Sequence, residues 1–415
     1  MSSKILDYSA LQIEKLKTSE GRFNFLNLSI PVLMGIFIFL NPFPHTTAIK
    51  ETCVYLSLVI VLILICFKKT NFSFKSPLTL PFVLFVAWVL IGLFFALDKE
   101  NSIHDFRAHL LKYLVVYYIL INFFNSQKRL VVLSWIIIAS AVIFCLGGVY
   151  YFYFILGNAV SARFATGFPE IPINVVNVSL IFALLLSFHN FTREDNFYRR
   201  VIIVACALVM FGTMVLTQTR YALIAIILSL FFLLWNQHRR MLIFVILILA
   251  IVVYLAPVKN RLNINDSGIR LRICQYFISY EVAKDYPLTG IGYGINTYTG
   301  NIDEKKYQNS VPKNCKCEAL GCPHSLYSDI LLRTGFVGLF FFLYIIFTSV
   351  KVCWLTMKNS QDGFIKDWGR CIASAWVGII IIGFFEPFFR HNLEVILYTL
   401  LSITTILWLL DLRSS

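Results

Sequence analysis

This sequence has little charge for its length. Asp, Glu, Lys and Arg make up 14% of its 415 residues, against about 25% in soluble domains. With 58% apolar residues and a mean hydropathy of +0.75, that scarcity excludes an ordinary soluble domain and predicts a chain that crosses a membrane many times. Acid is the scarcer sign, 22 residues against 36 basic ones. In a soluble protein the surplus would point to nucleic acid; between apolar segments it reads as topology, with Lys and Arg holding loops on the cytoplasmic side, and no nucleic-acid partner is expected. Other absences narrow the class further. No small-residue cleavage site follows the first apolar run, so no cleavable signal peptide is expected. The stretch Pro287 to Gly294 holds Gly290, Gly292 and Gly294, but it lacks a preceding strand and the G-x-G-x-x-G spacing of a dinucleotide fingerprint. The halves show no clear internal repeat and no cluster of polar residues at mid-depth, which argues against a transporter or flippase.

A bilayer core about 30 Å thick takes about 20 apolar residues per helix. Runs that fit lie near Phe23 to Leu40, Cys53 to Phe67, Leu78 to Leu97, Leu110 to Phe124, Leu130 to Leu156, Ile171 to Phe188, Val201 to Leu216, Tyr221 to Trp235, Met241 to Val258, Phe336 to Leu355, Ile372 to Phe385 and Leu393 to Leu410. The expectation is an all-α polytopic membrane protein of about twelve spans, with both termini on one side. Its parts are a cytoplasmic segment at 1–22, spans one to nine within 23–258, a long loop at 259–335, spans ten to twelve within 336–411 and a cytoplasmic tail at 412–415. Residues Ser3 to Arg22 read equally as an amphipathic interfacial helix or a poorly ordered tail.

Basic residues occupy alternate loops: Lys68, Lys69 and Lys75; Lys128 and Arg129; Arg193, Arg199 and Arg200; Arg239 and Arg240; Lys351, Lys358, Lys366 and Arg370. These loops are assigned to the cytoplasm, which turns the long loop to the exterior or periplasm. In that loop Asp266 and Ser267 can cap a helix to about Lys284, because Ile269, Ile273, Tyr276, Phe277 and Tyr280 recur at helical spacing and Pro287 follows. Asn301 to Lys316 reads as a polar loop. A second helix starts at Ser325, with Gly335 and Gly338 permitting a bend or close packing.

Candidate chemistry gathers on that same side. Arg220 lies in Thr217-Gln218-Thr219-Arg220, a break too short to carry its charge away from the membrane. A guanidinium there either snorkels to the headgroups or serves an anion in a cavity lined by its polar neighbours. Arg163, Arg270 and Arg272 are further anion-binding candidates, since a guanidinium offers phosphate a forked donor that does not titrate; a solvated surface is the commoner reason for arginines of this kind. His324 is the one histidine of the long loop. It is either a surface or capping residue or a general base for a sugar hydroxyl. Cys315, Cys317 and Cys322 with His324 are too compressed for a zinc ribbon or finger; in an oxidising compartment a disulfide is the better reading, its partners open and Cys274 among them. Asp98, Asp105, Asp329 and Glu386 lie on the same side and are available to orient a base or a hydroxyl, with Asp329 more simply read as capping or solvated.

Taken in order, Leu216 to Arg220, Gly268-Ile269-Arg270-Leu271, Pro287 to Gly294 and His324 through Gly335-Phe336-Val337-Gly338 resemble the O-antigen ligase family, and the resemblance extends to the span pattern of most of the chain. It implies a GT-C-like membrane glycosyltransferase of the bacterial inner membrane, with its active site facing the periplasm. The donor would be an O-antigen glycan linked to undecaprenyl pyrophosphate and the acceptor lipid A-core, joined by inverting transfer without metal or other cofactor, among membrane lipids. The family's catalytic arginines look like Arg220 and Arg270 and its loop histidine like His324, while Ser325 stands where members often have Asn. An O-antigen polymerase, which takes a lipid-linked glycan as acceptor, shares most of these features.

Overall fold

The computed structural model describes residues 19–159, 161–164, 173–235, 267–308, 323–389 and 393–414. Among these residues the regular elements are helical. They are α1 (Ser19–Phe39), α2 (Thr47–Cys66), α3 (Thr79–Phe95), α4 (Lys99–Asp105), α5 (Lys112–Phe123), α6 (Gln127–Val149), α7 (Ile173–Arg193), α8 (Phe197–Leu216), α9 (Arg220–Leu234), α10 (Ser267–Asp285), α11 (Thr297–Gly300), α12 (Glu304–Gln308), α13 (Leu326–Asn359), α14 (Gly363–Gly383) and α15 (Glu394–Ser414). Two π-helical segments, Phe106–Leu111 and Tyr150–Ile155, join α4 to α5 and extend α6.

Six helices among the described residues are long and apolar enough to cross a membrane: α1, α2, α6 with its π extension, α8, α13 and α15. The expected spans on α3, α5, α7, α9 and α14 coincide with helices that are shorter or more polar. The expected ninth span, Met241 to Val258, and the N-terminal stretch before residue 19 lie outside the described residues.

Burial follows from how the apolar residues are distributed. α15 is enclosed from Glu394 to Leu407, as a helix that is apolar all round must be, and it packs against α5, α13 and α14. Some of its polar side chains are paired within the bundle: Thr405 meets the Tyr117 hydroxyl at 2.8 Å, and Thr404 accepts from the Trp376 indole at 3.3 Å. α14 in turn contacts α9 and α7, while α1 pairs with α2 and α6 at the periphery.

The glycine-rich stretch owes its composition to close backbone contact. It leaves α10 and lies against α13 where that helix breaks at Gly335, φ 69°. There Phe336 N donates to Pro287 O and Ile291 N to Leu332 O, both at 2.8 Å, and Leu97 N donates to Ile291 O at 2.9 Å. A Cβ on Gly335 would sit 1.9 Å from the Leu288 carbonyl oxygen, and one on Gly290 would sit 2.3 Å from that of Leu332. Backbone has no room to yield, so only glycine fits. Gly335→Ala is expected to cost about 2 to 4 kcal/mol from strained φ and overpacking together. Gly363→Ala, where a Cβ meets nothing within 4 Å, should leave stability unchanged. Thermal unfolding of the detergent-purified variants, followed by size-exclusion chromatography, checks the contrast.

Candidate active site

The site is built on the turn that starts α9. Gln218 takes a left-handed conformation, φ 51°, which reverses the chain within three residues. The hydroxyls of Thr217 and Thr219 are buried and meet each other at 2.9 Å, and Thr217 also accepts from the Asn177 amide at 3.3 Å. These threonines therefore hold the turn instead of lining an open cavity. A strand of loop closes over it: Phe164 N donates to Leu216 O and Arg163 Nε to Thr217 O, both at 3.0 Å. Arg163 and Arg220, far apart in sequence, thus meet at one turn, with Arg220 as the first residue of α9.

The next residue, Tyr221, is the hub. Its hydroxyl donates to Glu386 Oε1 at 2.6 Å, and its ring stacks on Phe385 with centroids 5.2 Å apart and planes within 8°. Arg272, from α10, lies over both rings at 5.2 and 5.6 Å, with Nη2 3.6 Å from Glu386 Oε1. Arg272 is therefore held by a carboxylate and two aromatic faces, not by solvent. Glu386 is 5% exposed. Burial pushes its carboxyl up to about 7, against the opposing pull of the Tyr221 hydroxyl, Arg272 and Arg163. Near neutral pH it is poised between acid and carboxylate, which makes it the titrating group of this cluster. Arg270 stands two residues before Arg272 on α10; its side chain lies outside the described residues.

His324 stands two residues before the first turn of α13. Its backbone is left-handed, φ 30°, a strained state for a residue with a side chain, of the kind that gathers at functional sites. Ser325 then caps α13: its Oγ accepts from Ser328 N at 3.4 Å and donates to the Gly383 carbonyl at 3.2 Å. That contact fixes His324 against the end of α14, three residues before Glu386. Cys315, Cys317 and Cys322 lie outside the described residues, whereas Cys274 is buried in α10 against a small core with Ile278, Val282 and Ile291.

Two features were not anticipated from the sequence. Asp329 neither caps nor faces solvent: it pairs with Arg333 at 3.3 Å, both buried, and Arg333 Nε donates to the Tyr293 carbonyl at 2.8 Å. The i,i+4 spacing of the pair was the available signal. Beyond the site, His109 Nδ1 lies 2.6 Å from the wholly buried Glu394, and Asp105 accepts from His104 at 2.8 Å and from Ile295 N at 2.6 Å. These contacts tie α4 to the end of the glycine-rich stretch and the π-helical segment Phe106–Leu111 to α15. Among the described residues no group of three or more His, Cys, Asp or Glu is arranged to hold a metal.

The Glu386 environment carries a pH signature. Its carboxyl holds a proton more tightly in the folded chain, at about 7, than at the ordinary 4.5. Its contribution to stability is therefore full below 4.5 and falls away as pH rises to about 7. Glu386→Gln should flatten that part of the profile, measured as melting temperature between pH 4.5 and 8 for variant and wild type.

Comparison with known proteins adds the chemistry. No curated protein matches the chain. A sequence model described as O-Antigen ligase matches residues 204–343, a stretch from α8 into α13 that contains Arg220, Arg270, Arg272, the glycine-rich segment and His324. Residues 204–343 are thus similar to the O-antigen ligase family over about a third of the chain.

Proposed function

We propose that the protein transfers an O-antigen glycan from undecaprenyl pyrophosphate to a sugar hydroxyl of lipid A-core, at the periplasmic face of the bacterial inner membrane. The observation that carries this reading is the convergence of Arg163, Arg272 and Glu386 on the turn and first residues of α9, where Arg220 lies, with Ser325, next to His324, bonded to the end of α14. A cluster of guanidiniums at the end of a helical bundle, with one strained histidine next to it, suits a pyrophosphate leaving group and a hydroxyl nucleophile.

In the proposed reaction the acceptor oxygen attacks the anomeric carbon from the face opposite the pyrophosphate. The C–O bond to phosphate breaks with inversion, its electrons leave on the pyrophosphate, and the hydroxyl proton passes to His324. Arg220 and Arg270 neutralise the charge that grows on the leaving oxygen, the kind of oriented stabilisation that is often the largest catalytic contribution. Arg163 and Arg272 complete the anion site. Protonated Glu386 leaves Arg272 available to phosphate, whereas ionised Glu386 competes for it. The arginines supply the charge that a metal ion would otherwise provide, so no metal is required.

His324→Ala should slow consumption of lipid-linked donor by about 10² to 10⁴, and Arg220→Ala or Arg270→Ala by about 10² to 10³. Arg200→Ala, on the exposed first turn of α8, should leave the rate unchanged. The assay is donor loss in proteoliposomes containing lipid A-core and no added metal. A full rate from His324→Ala would remove the base from this mechanism.

A further inference from the structure

A groove on the lipid-facing flank of the bundle lies apart from the Arg220 turn. It runs between α1 and α6 and encloses about 450 Å³, lined by Pro31, Val32, Gly35 and Phe39 on one side and Val132 and Ile136 on the other. The helices lie side by side here, with the Ser140 hydroxyl donating to the Phe39 carbonyl at 2.5 Å and a Cβ on Gly35 set to meet Ile136 at 3.0 Å. The missing side chain of Gly35 keeps the groove open. Its rims, Val32, Ile36 and Val132, are exposed, so it opens sideways to where lipid tails would lie. From Pro31 to Leu40 it extends nine residues, about 14 Å at 1.5 Å per residue, close to half of a hydrocarbon core about 30 Å thick.

One lining residue is charged. Arg129, in the first turn of α6, donates from Nη1 to the Phe123 carbonyl at 2.6 Å, and no carboxylate pairs with it among the described residues. A guanidinium at the edge of an apolar groove is costly without an anion, and basic pockets between membrane helices are a recurring form of headgroup site. We infer that this groove holds one acyl chain of an anionic phospholipid, with its phosphate on Arg129. The charge complementarity selects an anionic headgroup over a zwitterionic one, and the apolar walls select a lipid over a soluble phosphate.

The test uses the full-length protein, delipidated in detergent and titrated with phosphatidylglycerol or phosphatidylethanolamine under native mass spectrometry. The wild type should retain one phosphatidylglycerol with about fivefold preference, the equivalent of about 1 kcal/mol for one basic residue near the headgroups. Arg129→Gln should abolish the preference and Arg129→Lys should keep it. Gly35→Leu, which fills the groove, should lower retention of both lipids, and Lys128→Gln, on the exposed neighbour, should change nothing. Equal retention of the two lipids by the wild type would overturn the inference, as would Arg129→Gln behaving as wild type or Lys128→Gln losing as much as Arg129→Gln. Circular dichroism and elution volume confirm that each variant is folded before its lipids are counted.

Discussion

The buried Arg333 guanidinium holds the glycine-rich stretch to the start of α13, at the end of the bundle where the candidate site lies. Taking a charge out of water costs several kcal/mol unless it is fully partnered, and Arg333 is partnered on every side: Asp329 at 3.3 Å, the Tyr293 carbonyl at 2.8 Å and the face of the Tyr293 ring at 4.0 Å. These contacts bind the glycine-rich stretch to the first turns of α13. The break at Gly335 lets those turns follow the loop while the rest of α13 keeps the direction of a span. His324, at the head of the same segment, is positioned as a consequence.

Scarcity of acid gives each buried carboxyl a defined place. Asp329 serves Arg333, Asp105 receives the Ile295 amide, Glu394 faces His109, and Glu386 sits among Tyr221, Arg272 and Arg163. The first three lock elements together. Glu386 differs because burial brings it to about 7, where a small change of environment decides whether it is charged. An anion bound beside Arg272, as proposed, would be such a change, and its binding would then be coupled to the protonation of Glu386.

Much of this was readable from local pattern. Helical spacing and a following proline located α10, the Ser325 cap located the start of α13, and the four-residue break before α9 marked Arg220. Reach along the chain limited the rest. Glu386 meets Tyr221 across 165 residues of separation, and periodicity carries no information about such pairs. Thr217 and Thr219 looked like cavity lining because they are polar next to an arginine, yet their hydroxyls are spent on the turn itself. Asp329 reads as capping or solvated when its pairing with Arg333, four residues on, is left out of account. The glycines of Pro287 to Gly294 lack the spacing of a dinucleotide fingerprint, but the reason for them, backbone meeting backbone at Gly335, needs the fold.

The account rests on what becomes of the glycan, and the most direct measurement is the mass of the wild-type product. Purified protein in proteoliposomes would be given lipid-linked O-antigen together with lipid A-core. The account predicts intact glycan joined to lipid A-core, with undecaprenyl pyrophosphate released in equal amount. Longer glycans still on the lipid carrier, with lipid A-core untouched, would contradict it and identify a polymerase.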